Sequence, residues 1–496
     1  MVMRLSQATA LRRITRPSIL LRASAASYYT SPTSRRPAAS APGSSWLSSW
    51  WTGRNYATVS AAELEFGQPV HETHPHLLKA GETTPGITAQ EYADRRAQLA
   101  FSLAENSVAV LAAADLKYKS GAVFYPFRQE SNFLYLTGFL EPEAVAIIQK
   151  TGPALGDYAF HLLCRPKDPR AEQWSGPWSG LQAAEDVFNA DTAGDIHNLT
   201  TLLPPLLHNT SHIYTDIPLT NTNTNTNTTT PLTTTIASAL PSPSSSTPIP
   251  LQPTINALRV IKSPAEIACM RHAGRVSGRA LTAAMRQPWA LEHDLQSFLE
   301  YHFTRDNCSG PAYVPVVAGG ARGNMIHYVH NTASLQPDEM VLVDAGGEYG
   351  TYIADITRTW PVSGRFSPAQ RDLYEAVLSV QRMGVALCRA DANVSLDQIH
   401  RATEAGLREE LGRLGFDLGG KGGNAMDVLF PHHVGHYVGL DVHDVPGYGR
   451  SVPLRKGHCV TVEPGVYDSV CVDETGPINL TVEAVKEVVD IEALRE

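Results

Sequence analysis

The chain has 496 residues, of which 43% are hydrophobic and 18% charged, and its formal net charge is −9. This length and composition are ordinary for a globular protein with two or three domains and sizeable cores. No run approaches the roughly 18 consecutive apolar residues that a transmembrane helix needs, so no such helix is expected. The six cysteines form no C-x-x-C pair, which argues against a disulfide framework or a zinc finger and favours a reducing compartment.

The first 62 residues differ from the rest of the chain in charge. They contain eight arginines, no lysine and no acidic residue. Without the +8 of this segment the remaining chain carries −17, which disfavours nucleic acid as a partner. An Arg- and Ser-rich segment without acids is typical of a mitochondrial transit peptide, and a disordered basic tail is the alternative. We expect a transit peptide over 1–56, a location in the mitochondrial matrix, and an N-terminal extension over 57–84.

The end of this segment reads Arg54-Asn55-Tyr56-Ala57. It resembles a matrix processing site, with the arginine two residues before the cut. Such a cut would leave Tyr56 as the new N-terminus.

Residues 85–217 predict a small α/β domain. Thr88 is placed as the N-cap of a helix, and Glu91 lies three residues further on, the pattern of a capping box. β-Branched and aromatic runs bounded by polar, Gly or Pro residues predict strands at 107–114, 132–139, 143–150 and 158–164. The Thr-, Ser- and Pro-rich stretch at 219–250 lacks the apolar content to pack, so we place a low-complexity linker over 218–255.

The remaining residues, 256–496, predict one α+β domain. Ser263 is placed as an N-cap with Pro264 at the first helical position and Glu266 closing a capping box. Further helices are predicted near 291–305, 367–388 and 396–414, and strands at 313–320, 340–347, 351–362 and 459–465. A domain of about 230 residues is within the usual size range.

Two aspartates lie on apolar strands on either side of a Gly-rich turn. A hairpin centred between Tyr349 and Gly350 would place Asp344 opposite Asp355, with Cβ atoms roughly 4.5–5.5 Å apart. Carboxylates that close repel each other unless one is protonated or a cation lies between them. The spacing suits a bridge between two metal ions roughly 3.5–4 Å apart. The alternative is a solvated turn with two exposed acids.

Histidines are concentrated in the same half of the chain. The stretch "PHHVGHYVGLDVHDVPG" contains His432, His433, His436 and His443, together with Asp441 and Asp444. Its spacing is not that of a zincin helix, and its glycines indicate a loop and strand. Each histidine taken alone could be an ordinary surface or core residue.

Two further segments carry candidate groups. His327 and His330 lie on a predicted apolar strand, and Glu463 ends an apolar strand just before a Pro-Gly turn. Burying an unpaired carboxylate costs several kcal/mol, so Glu463 requires a partner. Carboxylate-rich ligation with one histidine favours Mn²⁺, Mg²⁺, Fe²⁺ or Co²⁺ over structural Zn²⁺, and a dinuclear site of this kind suits hydrolysis.

The order D-A-G, A-D-I-T-R-T-W, H-x-x-x-H-x-x-G-L-D-V-H-D and E-P-G resembles the aminopeptidase P family of pita-bread metallopeptidases. The stretch "GITAQEYADRRAQLA" with "FLYLTGFLEPEAVAII" is similar to the N-terminal domain of that family. The resemblance runs from about residue 70 to the end, except for 219–250. It implies an α+β chain with a C-terminal pita-bread (creatinase/aminopeptidase) domain and a smaller α/β aminopeptidase P N-domain. With the transit segment, it is strongest to the mitochondrial intermediate-cleaving, Xaa-Pro aminopeptidase 3 type of that family.

The resemblance also implies a set of roles. The metal ligands would be Asp344, Asp355, His436 and Glu463, with Asp355 bridging two divalent ions, Mn²⁺ foremost. Glu463 would be the general base, and His327, His432 and His443 would line the site as substrate-binding or proton-handling groups. The implied activity is removal of one N-terminal residue from peptides or imported mitochondrial proteins by metal-activated water. The substrates would be free N-termini, and the implied assembly is a homodimer.

The chain departs from the family pattern after Tyr467. The family has a second glutamate ligand on a strand reading like R-I-E-D-S-V, but here Tyr467 runs directly into Asp468. One interpretation is a skipped exon or faulty gene model of an active enzyme. Another is a catalytically impaired pita-bread module that binds peptides or proteins. A prolidase acting on dipeptides is a third hypothesis.

Overall fold

The structure is a computed structural model that describes residues 65–218, 230–240, 248–419 and 425–467, and the backbone of 482–483 and 489–490. The predicted transit peptide lies outside the described residues. Among those residues, no helix is both long enough and apolar enough to cross a membrane.

The N-terminal lobe, residues 65–218, is built on a mixed sheet. Its strands are β1 Glu82–Thr84, β2 Ile87–Thr88, β3 Ser107–Ala112, β4 Tyr118–Ser120, β5 Val123–Phe124, β6 Val145–Lys150, β7 Tyr158–Cys164, β8 Thr192–Asp195 and β9 His212–Tyr214. Its helices are α1 Ala89–Ser102, α2 Ser131–Thr137, α3 Pro169–Ser175, α4 Gly180–Asp186 and α5 Leu199–Leu207. The central strand order is β8-β7-β6-β3-β9, with β3–β9 and β7–β8 parallel and the other pairs antiparallel.

The predicted start of α1 is confirmed. The Thr88 side chain accepts a hydrogen bond from the backbone N–H of Glu91. The Glu91 carboxylate turns instead to Arg95, one helical turn on, at 2.6 Å. The N-cap is therefore set by Thr88, and Glu91 forms an ion pair with the buried Arg95 in place of the second bond of a capping box.

The predicted strand at 132–139 is wrong, because most of it forms helix α2. Glu130 caps this helix by accepting from the N–H of Phe133, and Gly138 ends it with φ of +67°. Every residue of α2 except Asn132 is buried, so the segment shows no apolar stripe. A short apolar run of this kind cannot be assigned to a strand or a buried helix by its periodicity alone.

The expectation that 219–250 lacks packed structure is also wrong in part. Helix α6 spans Pro231–Ala239, and helix α7 begins at Gln252, inside the predicted linker. Thr230 caps α6, and its apolar residues Leu232 and Ile236 recur at helical spacing and are buried against the N-terminal sheet. The low-complexity composition masked this short amphipathic pattern.

The C-terminal lobe, residues 248–467 with the two backbone segments beyond, combines helices with short antiparallel strands. The helices are α7 Gln252–Arg259, α8 Pro264–Ala284, α9 Glu292–Arg305, α10 Pro368–Leu387, α11 Leu396–Arg413 and α12 Ala425–Leu429. The strands are β10 Gly310–Pro311, β11 Val316–Gly319, β12 Met340–Asp344, β13 Gly347–Tyr349, β14 Tyr352–Ile353, β15 Thr357–Pro361, β16 Cys459–Val460, β17 Gly465–Val466, β18 Val482–Glu483 and β19 Val489–Asp490.

The C-terminal lobe confirms most of the predicted elements. Ser263 and Glu266 form the predicted capping box, with both reciprocal hydrogen bonds present. Helices α9, α10 and α11 lie where they were predicted. Strand β12 pairs with β11 and β15, whereas β17 pairs with β18 and β16 with β19, all antiparallel.

The hairpin that carries the two aspartates has a different register from the predicted one. Asp344 pairs with Thr357, not with Asp355. The turn residues are Gly350 and Thr351, with φ of +56° and +69°, because a tight two-residue turn needs both in the left-handed region. The register differs by two residues, which leaves both aspartates on one face of the hairpin as diagonal neighbours.

The two lobes share a hydrophobic core. One cluster of buried residues contains Phe133 and Leu136 of α2 together with Tyr352 and Val438 of the C-terminal lobe. The N-terminal lobe therefore packs directly on the segments that carry the predicted metal ligands.

Candidate metal centre

Three of the four predicted metal ligands meet at one point in the C-terminal lobe. Asp355, His436 and Glu463 each bring one ligand atom to within 4.8 Å of the others. The Nε2 atom of His436 lies 3.3 Å from Oδ2 of Asp355 and 3.1 Å from Oε1 of Glu463. Asp355 and Glu463 are buried, at 1% and 6% exposure, so their charges are not screened by water.

The orientation of the His436 imidazole is fixed by a contact of its Nδ1 atom. Nδ1 lies 3.0 Å from the carbonyl oxygen of Tyr437, which directs Nε2 towards the carboxylates. The hydroxyl of Thr461 accepts from the backbone N–H of His436 at 3.0 Å and donates to the Glu463 carboxylate. Outer contacts of this kind orient metal ligands.

The backbone at Gly435 lies very close to the backbone at Thr461. A Cβ on Gly435 would lie 2.0 Å from the carbonyl oxygen of Thr461. Only glycine allows this approach, which brings His436 beside the strand that leads to Glu463.

Asp344, the fourth predicted ligand, is linked to the cluster by the hydroxyl of Tyr313, which contacts both Asp344 and Asp355. The Tyr313 hydroxyl lies 2.6 Å from Oδ1 of Asp344 and 3.0 Å from Oδ1 of Asp355. Burial and the two neighbouring carboxylates raise the pKa of Tyr313 well above its usual value, so it stays a donor. Sequence reasoning missed Tyr313, because a tyrosine at the start of an apolar run gives no local sign that it will meet two acids.

The charge of the cluster fits a cation. Burial lowers the pKa of His436, but its hydrogen bonds to Asp355 and Glu463 outweigh burial and raise the pKa to about 10. A proton on imidazole thus balances the carboxylates at the position where Nε2 would bind a metal. The donor set of carboxylate oxygens with one imidazole nitrogen suits Mn²⁺ and related divalent ions, which would replace that proton.

The other predicted histidines lie at different distances from the cluster. The His443 ring packs on the His436 ring, with centroids 4.3 Å apart. His432 Nε2 lies 3.0 Å from the hydroxyl of Tyr467, four residues after Glu463. Among the described residues, His327 is exposed and makes no hydrogen bond or ion pair with the ligand cluster. The structure therefore groups His443 with the ligands and leaves His327 apart from them.

The strand predicted for His327 and His330 is wrong. Residues 325–330 form a bend, a turn and irregular backbone. Met325, Ile326 and Val329 are exposed by 39% or more, so their apolar side chains do not mark a buried strand.

The predicted loss of the second glutamate ligand falls outside the described residues. The last range described with side chains is 425–467, and beyond Tyr467 only the backbone of two short strands is described. The prediction that the Tyr467–Asp468 junction removes a ligand therefore stays a prediction.

Two family models match the chain. Residues 92–214 match the aminopeptidase P N-terminal domain, and residues 268–492 match metallopeptidase family M24. The chain therefore belongs to metallopeptidase family M24, in the aminopeptidase P branch with the pita-bread fold, and is a metalloaminopeptidase.

Known proteins resemble the chain over both lobes. It is 43% identical to intermediate cleaving peptidase 55 of Saccharomyces cerevisiae over 453 residues, covering 86% of this chain and 88% of the relative. It is 36% identical to Xaa-Pro aminopeptidase 3 of Homo sapiens, covering 86% and 90%. The crystal structure of Icp55 from Saccharomyces cerevisiae superposes with a TM-score of 0.73 at 40% identity, covering 82% of this chain and 92% of that one. These similarities do not support the alternative of a non-catalytic binding module.

Proposed function

We propose that this protein removes a single residue from the N-terminus of peptides or imported mitochondrial proteins, in the mitochondrial matrix. The observation that carries the proposal is the buried cluster of Asp355, His436 and Glu463, whose ligand atoms lie within 4.8 Å of one another. The similarity to intermediate cleaving peptidase 55 and the Arg-rich leader support the substrate class and the location.

The proposed ligands are Asp344, Asp355, His436 and Glu463, holding two divalent ions, with Mn²⁺ as the first choice. When bound, the ions would supply an activated water and polarise the scissile carbonyl. Glu463 is proposed to accept the proton of the attacking water. Tyr313 keeps the two aspartates oriented through the hydroxyl that both contact.

The three further histidines are proposed to act on the substrate side. His443, against His436, would handle a proton or bind the peptide, and His432 beside Tyr467 would line the cleft. His327 is proposed to contact the substrate only when the peptide is bound, since it is exposed here. The N-terminal lobe would narrow the cleft to a free N-terminus, and the functional assembly is proposed to be a homodimer.

The test is hydrolysis of a peptide that begins Tyr-Ala. The full chain is incubated with Mn²⁺, beside a second version that has the family strand restored between Tyr467 and Asp468. Free tyrosine, without release of dipeptides, is expected. Absence of tyrosine release from both versions would overturn the proposal.

A second experiment distinguishes an aminopeptidase from a prolidase. A dipeptide ending in proline and a longer Xaa-Pro peptide are offered at equal concentration. An aminopeptidase is expected to cleave the longer peptide, whereas a prolidase would cleave only the dipeptide.

A further inference from the structure

The segment that follows His436 folds back on itself and returns a second histidine to the first. We call residues 437–446 the active-site turn. The backbone N–H of Asp444 donates to the carbonyl of Tyr437 at 2.9 Å, which closes the turn. As a result the ring of His443 lies 4.3 Å from that of His436.

The backbone of this turn is strained. Val445 has φ of +46°, a region that β-branched residues rarely adopt. Its side chain is buried, at 1% exposure. A residue in such a conformation persists only where the surrounding contacts over-determine it. Some other interaction must therefore hold the turn.

The turn is held by ion pairs to the two acids that flank His443, of which Asp444 is buried and Asp441 is half-buried. The Arg259 guanidinium lies 2.7 Å from Asp441 Oδ2 and 2.5 Å from Asp444 Oδ1. Lys262 Nζ lies 2.7 Å from Asp444 Oδ2, with both side chains 1% exposed. Although burial raises the pKa of Asp444, Lys262 and Arg259 outweigh it and lower that pKa, so the carboxylate stays charged.

The N-terminal lobe joins the same network. The hydroxyl of Ser131, at the start of α2, donates to Asp441 Oδ1 at 2.6 Å. The side-chain oxygen of Asn132 accepts from Arg259 at 2.6 Å. Arg128 donates to the backbone carbonyl of Leu440. Three neighbouring residues of the N-terminal lobe thus contact the turn or its main cation.

We infer that Arg259 and Ser131 are positioning residues, which set His443 against His436 by holding Asp441 and Asp444. The N-terminal lobe then does more than narrow the cleft, because it fixes one side of the turn that carries a functional histidine. The inference rests on the proposed function, since the role of His443 belongs to that proposal.

The first test replaces Ser131, which removes the hydrogen bond that it donates to Asp441 and the one that it accepts from Arg128. Asp441 keeps its ion pair with Arg259, so no charge is left unpaired. Ser131→Ala is expected to lower kcat on the order of tenfold, with KM and bound metal unchanged, because a small displacement of a reacting group is costly. The matched control is Thr215→Val, which removes another buried hydroxyl of the N-terminal lobe, one that donates to the Val110 carbonyl at 2.8 Å. Equal kcat values for the two variants would overturn the inference.

A double-mutant cycle separates positioning from general damage to the fold. In a His443→Ala background, Ser131→Ala is expected to have no further effect on kcat. Effects that multiply in the double variant would overturn the inference, since Ser131 would then act independently of His443.

Arg259 supplies a second pair of variants. Arg259→Lys keeps the charge but cannot bond both acids as the guanidinium does, so it is expected to retain more activity than Arg259→Met. Equal activity of the folded lysine and methionine variants would contradict the role of Arg259.

A structural readout tests the inference without turnover. The crystal structure of the Ser131→Ala protein is expected to show the His443 ring displaced from its contact with His436. An unchanged contact overturns the positioning role even if the protein cleaves peptides. If the unaltered chain and its strand-restored version both release no residue, the proposed function is wrong. The crystal structure of the Ser131→Ala protein still shows whether the His443 ring is displaced, so the two failures can be distinguished.

Discussion

The Nε2 atom of His436 lies 3.1 Å from Oε1 of Glu463, although 27 positions separate the two residues in the chain. Two backbone hydrogen bonds produce this closeness. Thr461 N–H donates to the carbonyl of His436 at 2.9 Å, and Glu463 N–H donates to the carbonyl of Val434 at 2.6 Å. The pairing directs both side chains to one side, where Asp355 joins them. The candidate metal centre is therefore built by strand-like pairing between the loop that carries His436 and the strand end that carries Glu463.

Asp355→Asn should remove the metal and the activity together. Asp355 is 1% exposed and contacts His436 directly, so loss of its charge weakens the donor set. Because changes in outer contacts already cost 10- to 100-fold, loss of a ligand should lower metal affinity and kcat/KM by at least about 100-fold. Metal content by mass spectrometry and peptide hydrolysis measure this. Asp338→Asn, at an exposed acid, is the control, and full metal content in Asp355→Asn would contradict the assignment.

Tyr313→Phe should destabilise the metal-free protein more than the metal-loaded one. The lost hydroxyl contacts two carboxylates, and an unsatisfied buried acceptor costs about 1–3 kcal/mol. Bound cations would satisfy the same carboxylates, which reduces the loss. Urea unfolding with and without chelator measures the difference, with the exposed Tyr301→Phe as control. Equal destabilisation in the two states would argue against a metal at these aspartates.

His458 should make stability fall at mildly acid pH. Burial lowers its pKa to about 4, and the nearby Lys262 and Arg455 act in the same direction. The unfolded chain takes up this proton below its ordinary pKa of about 6.5, while the folded chain does not until about pH 4. The free energy of unfolding is therefore unaffected above pH 6.5 and falls between pH 6.5 and 4, by up to about 3 kcal/mol.

The check on His458 is a difference between two proteins. His458→Gln should show a smaller fall in unfolding free energy across this pH window than the unaltered chain. His197→Gln, at an exposed histidine of the N-terminal lobe, should leave the fall unchanged. Parallel pH curves for the His458→Gln and unaltered proteins would show that His458 is not the group responsible.

Helix α6 should contribute to the stability of the fold, which a disordered linker would not do. Ile236 is fully buried against the N-terminal sheet, so Ile236→Ala should cost about 2–5 kcal/mol of unfolding free energy. Thr235→Ala, one residue away on the exposed face, should cost much less. Chemical denaturation measures both, and an Ile236→Ala protein as stable as the original would mean that α6 does not pack in solution.

The N-terminus of the mature protein should be Ala57. A processing cut before Tyr56 would expose a tyrosine, and the proposed activity would then remove it from the protein's own chain. N-terminal sequencing of the protein isolated from mitochondria checks this. The Asp355→Asn variant, in cells without other copies of the enzyme, should begin at Tyr56, and an Ala57 start in that variant would exclude self-trimming.

Local signals predicted the helix ends well and failed where packing decides the structure. Ser263 and Thr88 cap helices as predicted, because a cap bonds to a backbone only three residues away. The run at 132–139 resembles a strand in sequence because helix α2 is buried on nearly all sides, so its apolar residues show no helical period. The hairpin register was missed by two residues, since its turn is set by the left-handed backbone of Gly350 and Thr351.

By itself the sequence determined the α+β class, and it indicated carboxylate and imidazole groups on particular segments as candidates for binding a metal. These depend on residue chemistry and short-range pattern, whereas the resemblance to the aminopeptidase P family implied the choice of Asp355, His436 and Glu463. Only the tertiary structure decided that the Tyr313 hydroxyl contacts two aspartates. The same is true of the hydrogen bond by which Ser131 of the N-terminal lobe contacts the active-site turn. These contacts join residues far apart in the chain, and which distant side chains meet is settled by how the cores pack together.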